Sequence, residues 1–453
     1  MSANLEHDSG MSQPNNETVD AVVVGGNLSG LVTAYLLGQL GYHSVVLERS
    51  SRIGGANASF TTPDGSTFDL GMHVLDYMRS ELTTRLFTDI MGGKVNRVLL
   101  KRGMVLRGQV VPYNPTPEDL PADLRQLLPE GELMDNLGTD LPTRERLREY
   151  YGRYSDFIFD EVFPSYRCEQ RHKDLGVEEG RLLTNIYPWF FPGARRKIVT
   201  DQESRAFHDR LRREEEQYIL YPTEGGFASF AKAFCAKLGP NVEVITDIPD
   251  LHFELEPGTH RINWLQAKDR RIESRHIFWC AAWPSLCQLL NIPVQYLATD
   301  NLLLGSFRFN EPAMSEYNEI LVGDPSFHID RISFPGKFGQ TNAPLLQLEF
   351  AFPVAHGSLP LEQQYWQQTW LSDLKRLGLL GGGHRLETFD FRKFRMHFNS
   401  FGAEGQECRD ADPTLLMPNS NVHPVAPTMQ NRNINSSVPL YLREVTRVLA
   451  EYP

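Results

Sequence analysis

The chain has 453 residues, 41% of them hydrophobic and 23% charged, with a formal net charge of -12. That length implies roughly two or three domains of about 150 residues each, and the ordinary composition excludes a disordered or fibrous chain. The acidic balance excludes a broad nucleic-acid footprint, which needs clustered Lys and Arg to displace phosphate counterions.

Local charge and cysteine usage narrow the class further. Arg195-Arg196-Lys197 and the run from Arg210 to Arg213 are short, and Glu214-Glu215-Glu216 follows the second, so both read as solvated faces. Cys168, Cys235, Cys280, Cys287 and Cys408 form no C-x-x-C pair and outline neither a zinc cage nor a disulfide framework. The N-terminus lacks a basic start followed by an apolar stretch, and no run approaches the roughly 18 apolar residues of a membrane span. The expectation is a cytoplasmic protein with a small-molecule substrate; its oligomeric state is not encoded in any pattern found.

Residues 1–18 are polar and read as a flexible tail. The apolar run Val19 to Val24 ends in glycines and predicts a buried parallel strand. A helix follows over Ser29 to Leu40 and stops at Gly41, and a second strand runs from Ser44 to Leu47 and ends at Glu48, completing one βαβ unit. Residues 81–216 are mixed, with a helical stretch from Arg144 to Val162 and the aromatic segment Tyr187 to Phe191. That segment suits core packing, with contact to an apolar substrate or a membrane surface as the alternative.

The alternating pattern then returns. A turn and helix over Tyr221 to Leu238, a strand at Val242 to Ile245 and a buried strand from Arg275 to Ala282 resemble the first unit. Strand-like runs at Leu302 to Phe309, His328 to Phe334 and Leu345 to Phe352, with a helix over Gln363 to Leu377, predict a mostly antiparallel second sheet. A terminal helix is expected within Met429 to Tyr452. The fold class is therefore α/β: a Rossmann-type parallel-sheet domain from residues 19–80, 217–295 and 405–453, interleaved with an α+β substrate domain from 81–216 and 296–404.

The loop Gly25-Gly26-Asn27-Leu28-Ser29-Gly30 joins the first strand to the first helix. Such a loop turns backbone N–H groups toward a pyrophosphate, and the helix N-terminus adds favourable dipole charge. Gly25 makes the turn and Gly30 permits close packing. Asn27 stands at the middle glycine position of G-x-G-x-x-G; its tolerance of positive φ would preserve the turn, with its side chain directed away from the diphosphate or bonded to it. Glu48, ending the second strand, is placed to take both ribose hydroxyls and disfavours a 2′-phosphate.

Arg49-Ser50-Ser51-Arg52-Ile53-Gly54-Gly55 follows directly, then Ala56 and, further on, Phe68-Asp69-Leu70-Gly71-Met72-His73. With these pieces the sequence resembles the flavin amine oxidase superfamily, which includes monoamine oxidases, protoporphyrinogen oxidase, phytoene desaturases and UDP-galactopyranose mutase. Tyr221-Pro222-Thr223-Glu224-Gly225-Gly226, Val242 to Ile248 and Phe278 to Pro284 resemble further stretches of that family, and together the likeness covers about half of the chain.

The resemblance implies non-covalent FAD and flavin-based oxidation of a small molecule by hydride transfer to flavin N5. Gly54, Gly55 and Ala56 would lie along the ribityl and phosphate region, Met72 and His73 would reach the isoalloxazine, and Ile248 would contact adenine. The family's C-terminal Gly-Asp pair is missing; Asn433 and Asn435 are the polar candidates in its place. No local motif around Cys408 matches covalent flavin attachment. His73 is the candidate catalytic residue, and Tyr221, Arg331 and His397, with Asn399, are candidates for the substrate side. Arg331 would offer a phosphate or carboxylate clamp, with a surface salt bridge as the alternative. A non-redox mutase acting on a nucleotide sugar and a non-catalytic flavin-binding paralogue remain the competing functions.

Overall fold

The computed structural model describes residues 15–77, 80–112, 119–127, 218–281, 300–322, 326–353, 362–396, 420–425 and 434–451, with a few single residues between them. The expected helix at 144–162, the aromatic segment 187–191, both basic runs, His397, Asn399, Cys408 and Asn433 lie outside the described residues.

The chain opens with β1 (Asn15–Val24), α1 (Leu28–Gln39) and β2 (Ser44–Leu47), then β3 (Ser59–Thr61), β4 (Thr67–Asp69), β5 (Leu75–Asp76) and α2 (Glu81–Ile90). It continues through β6 (Val95–Leu99), β7 (Arg102–Leu106), β8 (Gln109–Pro112), α3 (Ala122–Leu127), β9 (Tyr218–Pro222) and α4 (Ala228–Ala236). Next come β10 (Val242–Ile245), β11 (His252–Leu255), β12 (Ile262–Ala267), β13 (Arg270–Trp279) and β14 (Asp300–Phe309). The last elements are β15 (Glu319–Val322), β16 (Arg331–Ser333), α5 (Pro335–Phe338), β17 (Leu345–Pro353), α6 (Gln363–Arg376), β18 (Leu386–Met396), β19 (Val422–Pro424) and α7 (Ile434–Glu451).

The first sheet has the order β10-β2-β1-β13-β12-β11, with β19 also on β13; β10, β2, β1, β13 and β19 are mutually parallel. Every residue from Ala21 to Val24 is buried, as is required of a strand covered on both faces. Ala21, Val23 and Phe278 pack under α1, α2, α4 and α7, through Leu31, Phe87, Phe234 and Val445 among others. Val22, Val24, Ile277 and Trp279 face the opposite way, toward Leu265 of β12 and Ile248. Burying each of these large aliphatic side chains is worth about 1.5–3 kcal/mol.

The second sheet, β18-β14-β17-β16-β15-β7-β8, is antiparallel except where β15 runs parallel to β7. Trp366 and Trp370 of α6 are fully buried on it against Phe307 and Phe350. A small sheet, β5-β9-β6, lies between these elements in the chain's path.

Two boundaries differ from expectation. β1 begins at Asn15, so residues 15–18 of the expected flexible tail are strand. The polar start of β1 is held because β13 supplies backbone partners from Arg270 onward, and Arg270 pairs with both Glu17 and Glu243. The run His328 to Phe334 yields only the short β16, because Pro335 starts α5 immediately afterwards.

Candidate dinucleotide site

Chain direction places the site. From β1 the chain passes through α1 to β2 on one side, while β13 lies on the other, so the strand order reverses between β1 and β13. Open α/β sheets bind ligands in the crevice at the carboxyl ends of the strands around such a reversal.

The glycine loop sits on that crevice. Gly25 has φ +109°, and its amide donates to the Leu47 carbonyl at 2.8 Å. The Gly26 amide donates to Glu48 Oε2 at 2.7 Å, and Glu48 Oε1 accepts from the Ser50 amide at 2.8 Å and the Ser50 hydroxyl at 2.9 Å. Glu48 is thus fixed beside the loop, and the Ile248 amide donates to its carbonyl at 3.2 Å. Arg49 is exposed.

Asn27 resolves the departure from the glycine pattern. Its backbone is extended, φ -74° and ψ -179°, so the positive φ anticipated for this position is not used. Its side chain caps α1: Oδ1 accepts from the Gly30 amide at 3.0 Å and the Ser29 hydroxyl at 2.9 Å, while Nδ2 donates to the Cys280 carbonyl at 2.7 Å across the crevice. Asn27 therefore ties β1 to β13 at their carboxyl ends and points away from the loop's open side. The amides of Leu28 and Ser29 have no hydrogen-bond partner among the described residues; they are the orphan donors that a helix N-terminus offers an anion.

Gly54 and Gly55 form the neighbouring wall. The Gly54 amide donates to the Gly26 carbonyl at 2.8 Å and Gly54 bridges Asn27 in parallel; φ is +109° at Gly54 and +56° at Gly55. A Cβ on Gly55 would lie 2.8 Å from the Asn27 Cβ, so the two loops touch through glycine. The Ala56 carbonyl accepts from His73 Nε2 at 2.6 Å, which sets the tautomer with the proton on Nε2 and brings the expected His73 to the same wall. Asn435 lies in the first turn of α7.

The other candidate side chains are already engaged. The Tyr221 hydroxyl is buried and donates to Asp69 Oδ2 at 2.6 Å; Asp69 Oδ1 accepts from the Ser59 hydroxyl at 2.6 Å and the Phe227 amide at 2.8 Å. Burial pushes the Asp69 carboxyl above the ordinary aspartate range, opposed by those three donors. Burial, then the Asp69 charge, raises the Tyr221 hydroxyl well above the usual tyrosine range. Tyr221 stands beneath the loop as a support rather than lining a surface.

Arg331 Nη2 donates to Glu349 at 2.5 Å, and Nη1 lies 3.6 Å from Glu319. Burial works against its charge, yet the fields of Glu349 and Glu319 raise the guanidinium above the ordinary arginine range. Its charge is met by these two carboxylates, with 34% of the side chain still exposed. Asp69, Ser59, Gln347, Glu349 and the Cys280 carbonyl were not singled out from sequence. The one signal for two of them was polar Gln347 and Glu349 inside the apolar run Leu345 to Phe352. Burial drives the Cys280 thiol up to about 12, which rules it out as a thiolate nucleophile at neutral pH. Among the described residues no cluster of His, Cys, Asp and Glu could hold a metal ion, and no helix is long and apolar enough to cross a membrane.

The comparisons with known proteins agree with this geometry. Residues 23–90 match the NAD(P)-binding Rossmann-like domain. An all-trans-retinol 13,14-reductase from Danio rerio is 37% identical over 75 residues, covering 17% of this chain and 12% of that protein. An FAD-dependent oxidoreductase, oblC, from Cochliobolus heterostrophus is 31% identical over 160 residues, covering 30% of each. The chain thus spans under a third of the curated relatives it matches. Among solved structures, a reduced UDP-galactopyranose mutase superposes with TM-score 0.65 at 14% identity, covering 96% of both chains. A putative protoporphyrinogen oxidase from Exiguobacterium sp. gives TM-score 0.65 at 17% identity, covering 96% of this chain and 99% of that one. The architecture is a Rossmann-like α/β fold of parallel and antiparallel sheets, shared over nearly the whole chain with these two solved structures.

Proposed function

We propose that the chain is an FAD-dependent oxidoreductase that holds its flavin non-covalently and oxidises or reduces a small molecule by hydride exchange at flavin N5. The observation that carries this reading is the pair of Leu28 and Ser29 amides at the α1 N-terminus, without a partner among the described residues and set over the β1/β13 reversal with Glu48 beside them. The fold likeness and the FAD-dependent relative support it.

In this reading Leu28 and Ser29 hold the diphosphate, Glu48 takes the adenosine ribose, and Ile248 packs at the adenine end. Gly54 and Gly55, both at positive φ, let this loop close against Asn27, and the rest of the cofactor would lie along them and Ala56. Met72 and His73 would meet the ring end, and Asn433 and Asn435 remain the polar candidates for its C-terminal side. His397 remains a candidate for the substrate side, whereas Tyr221 holds Asp69 and Arg331 holds Glu349 within the fold. The flavin supplies the redox chemistry when bound; the chain positions the substrate and excludes water. Residues 19–80, 217–295 and 405–453 would then form the FAD-binding domain and 81–216 and 296–404 the substrate domain.

The test is the visible spectrum of the purified protein, repeated anaerobically with amines, alcohols and apolar polyenes, all-trans-retinol among them because the Danio rerio relative is named for it. Bleaching of the oxidised protein by an amine or alcohol, or reoxidation of the dithionite-reduced protein by a polyene, supports the proposal. Turnover of a nucleotide sugar seen only after dithionite would establish mutase chemistry instead, and a colourless protein that no added FAD reconstitutes would leave a non-catalytic paralogue.

A further inference from the structure

The antiparallel sheet reaches across to the loop that carries His73. Gln347 and Glu349 are two apart on β17 and so share a face, and both are buried in an otherwise apolar strand. Gln347 Nε2 donates to the Asp69 carbonyl at 2.8 Å and lies 3.3 Å from the Ser306 hydroxyl. Glu349 Oε1 accepts from the Met72 amide at 2.7 Å, and its other oxygen takes Arg331. Gly71, with φ +92°, borders that carboxylate, and a Cβ on it would stand in ordinary contact at 3.5 Å.

The loop is therefore held between two acids from different parts of the chain. Asp69 anchors it toward Ser59, Tyr221 and Phe227, and Glu349 anchors it toward the second sheet. The charges around Glu349 balance: Arg331 faces Glu349 and Glu319, and Arg102 lies 2.5 Å from Glu319. Glu349 is buried while Arg331 is 34% exposed, and a largely desolvated ion pair stabilises a fold little compared with apolar residues of the same volume. Placing one at a single backbone amide of this loop is explained better by position than by stability.

We infer that Glu349 is a positioning residue: with Arg331 as its fixed counter-ion, it sets the place of the Gly71–His73 loop and the charge behind it that a bound flavin meets. This rests on the flavin reading above and goes beyond it, since it assigns a tuning role to an ion pair outside the nucleotide loop.

Three variants separate the contributions. Glu349→Gln keeps an acceptor for Met72 but leaves Arg331 short of one counter-charge. Glu349→Leu removes acceptor and charge, and Glu349→Gln combined with Arg331→Met removes the charge of both partners. Hydrogen exchange of a peptide spanning residues 69–76, followed with and without FAD, reads the loop; the flavin midpoint potential reads the charge. Glu349→Leu is expected to speed exchange at least tenfold in both forms. Glu349→Gln is expected to shift the potential to more positive values, because an uncompensated guanidinium favours the anionic reduced flavin, and the double variant to shift it back.

Unchanged exchange in Glu349→Leu together with an unchanged potential in Glu349→Gln overturns the inference. If Glu349→Leu does not fold, the potentials of the Gln and double variants decide it. An unaltered protein that takes up no FAD overturns the flavin half, while the exchange measurement on FAD-free protein separately decides whether Glu349 holds the loop.

Discussion

Gly30 is the residue on which the nucleotide loop depends most directly. A Cβ there would stand 1.8 Å from the Gly25 carbonyl oxygen, a backbone atom that cannot swing aside. Gly30→Ala is therefore expected to cost about 3 kcal/mol, the upper end of overpacking penalties, and to abolish FAD uptake; urea titration and the flavin content of the purified variant measure both. Glu48→Ala removes the acceptor of the Gly26 amide and of Ser50, interactions to a charged group worth about 1–3 kcal/mol. It should purify folded and lose FAD on dilution at least tenfold faster than the unaltered protein. Equal retention would place the ribose elsewhere. Asn27→Ala loses an N-cap, typically about 1 kcal/mol, plus the bond to Cys280 across the crevice, and its melting point should fall even without cofactor. The two variants differ in what they test: Glu48 the ligand, Asn27 the joint between strands.

At the scale of elements, β19 is held on β13 partly by a pair of buried histidines. His276 Nδ1 and His423 Nε2 are 3.4 Å apart, and burial, then His276, then Arg447, drives His423 down to about 3. In the unfolded chain the same imidazole titrates near its ordinary value of about 6.5. Between those limits the unfolded state binds the extra proton, so stability rises with pH across the window and is lost as pH falls below about 6.5. The slope is at most about 1.4 kcal/mol per pH unit. Urea midpoints at pH 7, 6 and 5 should decline accordingly, and His423→Gln should flatten that decline; an equally steep decline in the variant would assign acid sensitivity to other groups. This device was invisible in the sequence because its histidines are 147 positions apart and only the register of β13 with β19 brings them together. The elements themselves were far more legible. The apolar runs of β1, β2, β10, β14 and β17 and the periodicity of α1 and α6 are local signals, and the structure places each within a few residues of expectation. The polar start of β1 was not, since its strand conformation is imposed by β13.

Over the whole molecule the same division holds between what is local and what is not. The meeting of the glycine loop, Glu48 and the Gly54-Gly55 turn was readable because the chain carries them in one contiguous stretch. The supports behind them, Asp69 with Tyr221 and Glu349 with Met72, join positions 152 and 277 apart, and no periodicity encodes such pairs. Because the site is assembled from both sheets, occupancy should stabilise the whole fold rather than one loop. A ligand that binds only the folded state adds about 2.7 kcal/mol at a hundred times its dissociation constant. Protein stripped of flavin should therefore melt several degrees lower than the loaded form, and its melting point should climb steadily as FAD is titrated in. NADP+ should give no rise, because Glu48 would face a 2′-phosphate across like charge, and NAD+ only a small one, because it lacks the flavin end that Met72 and His73 are proposed to meet. A melting point that climbs with NAD+ as steeply as with FAD would reassign the loop to a nicotinamide cofactor, and with it the chemistry proposed for the chain.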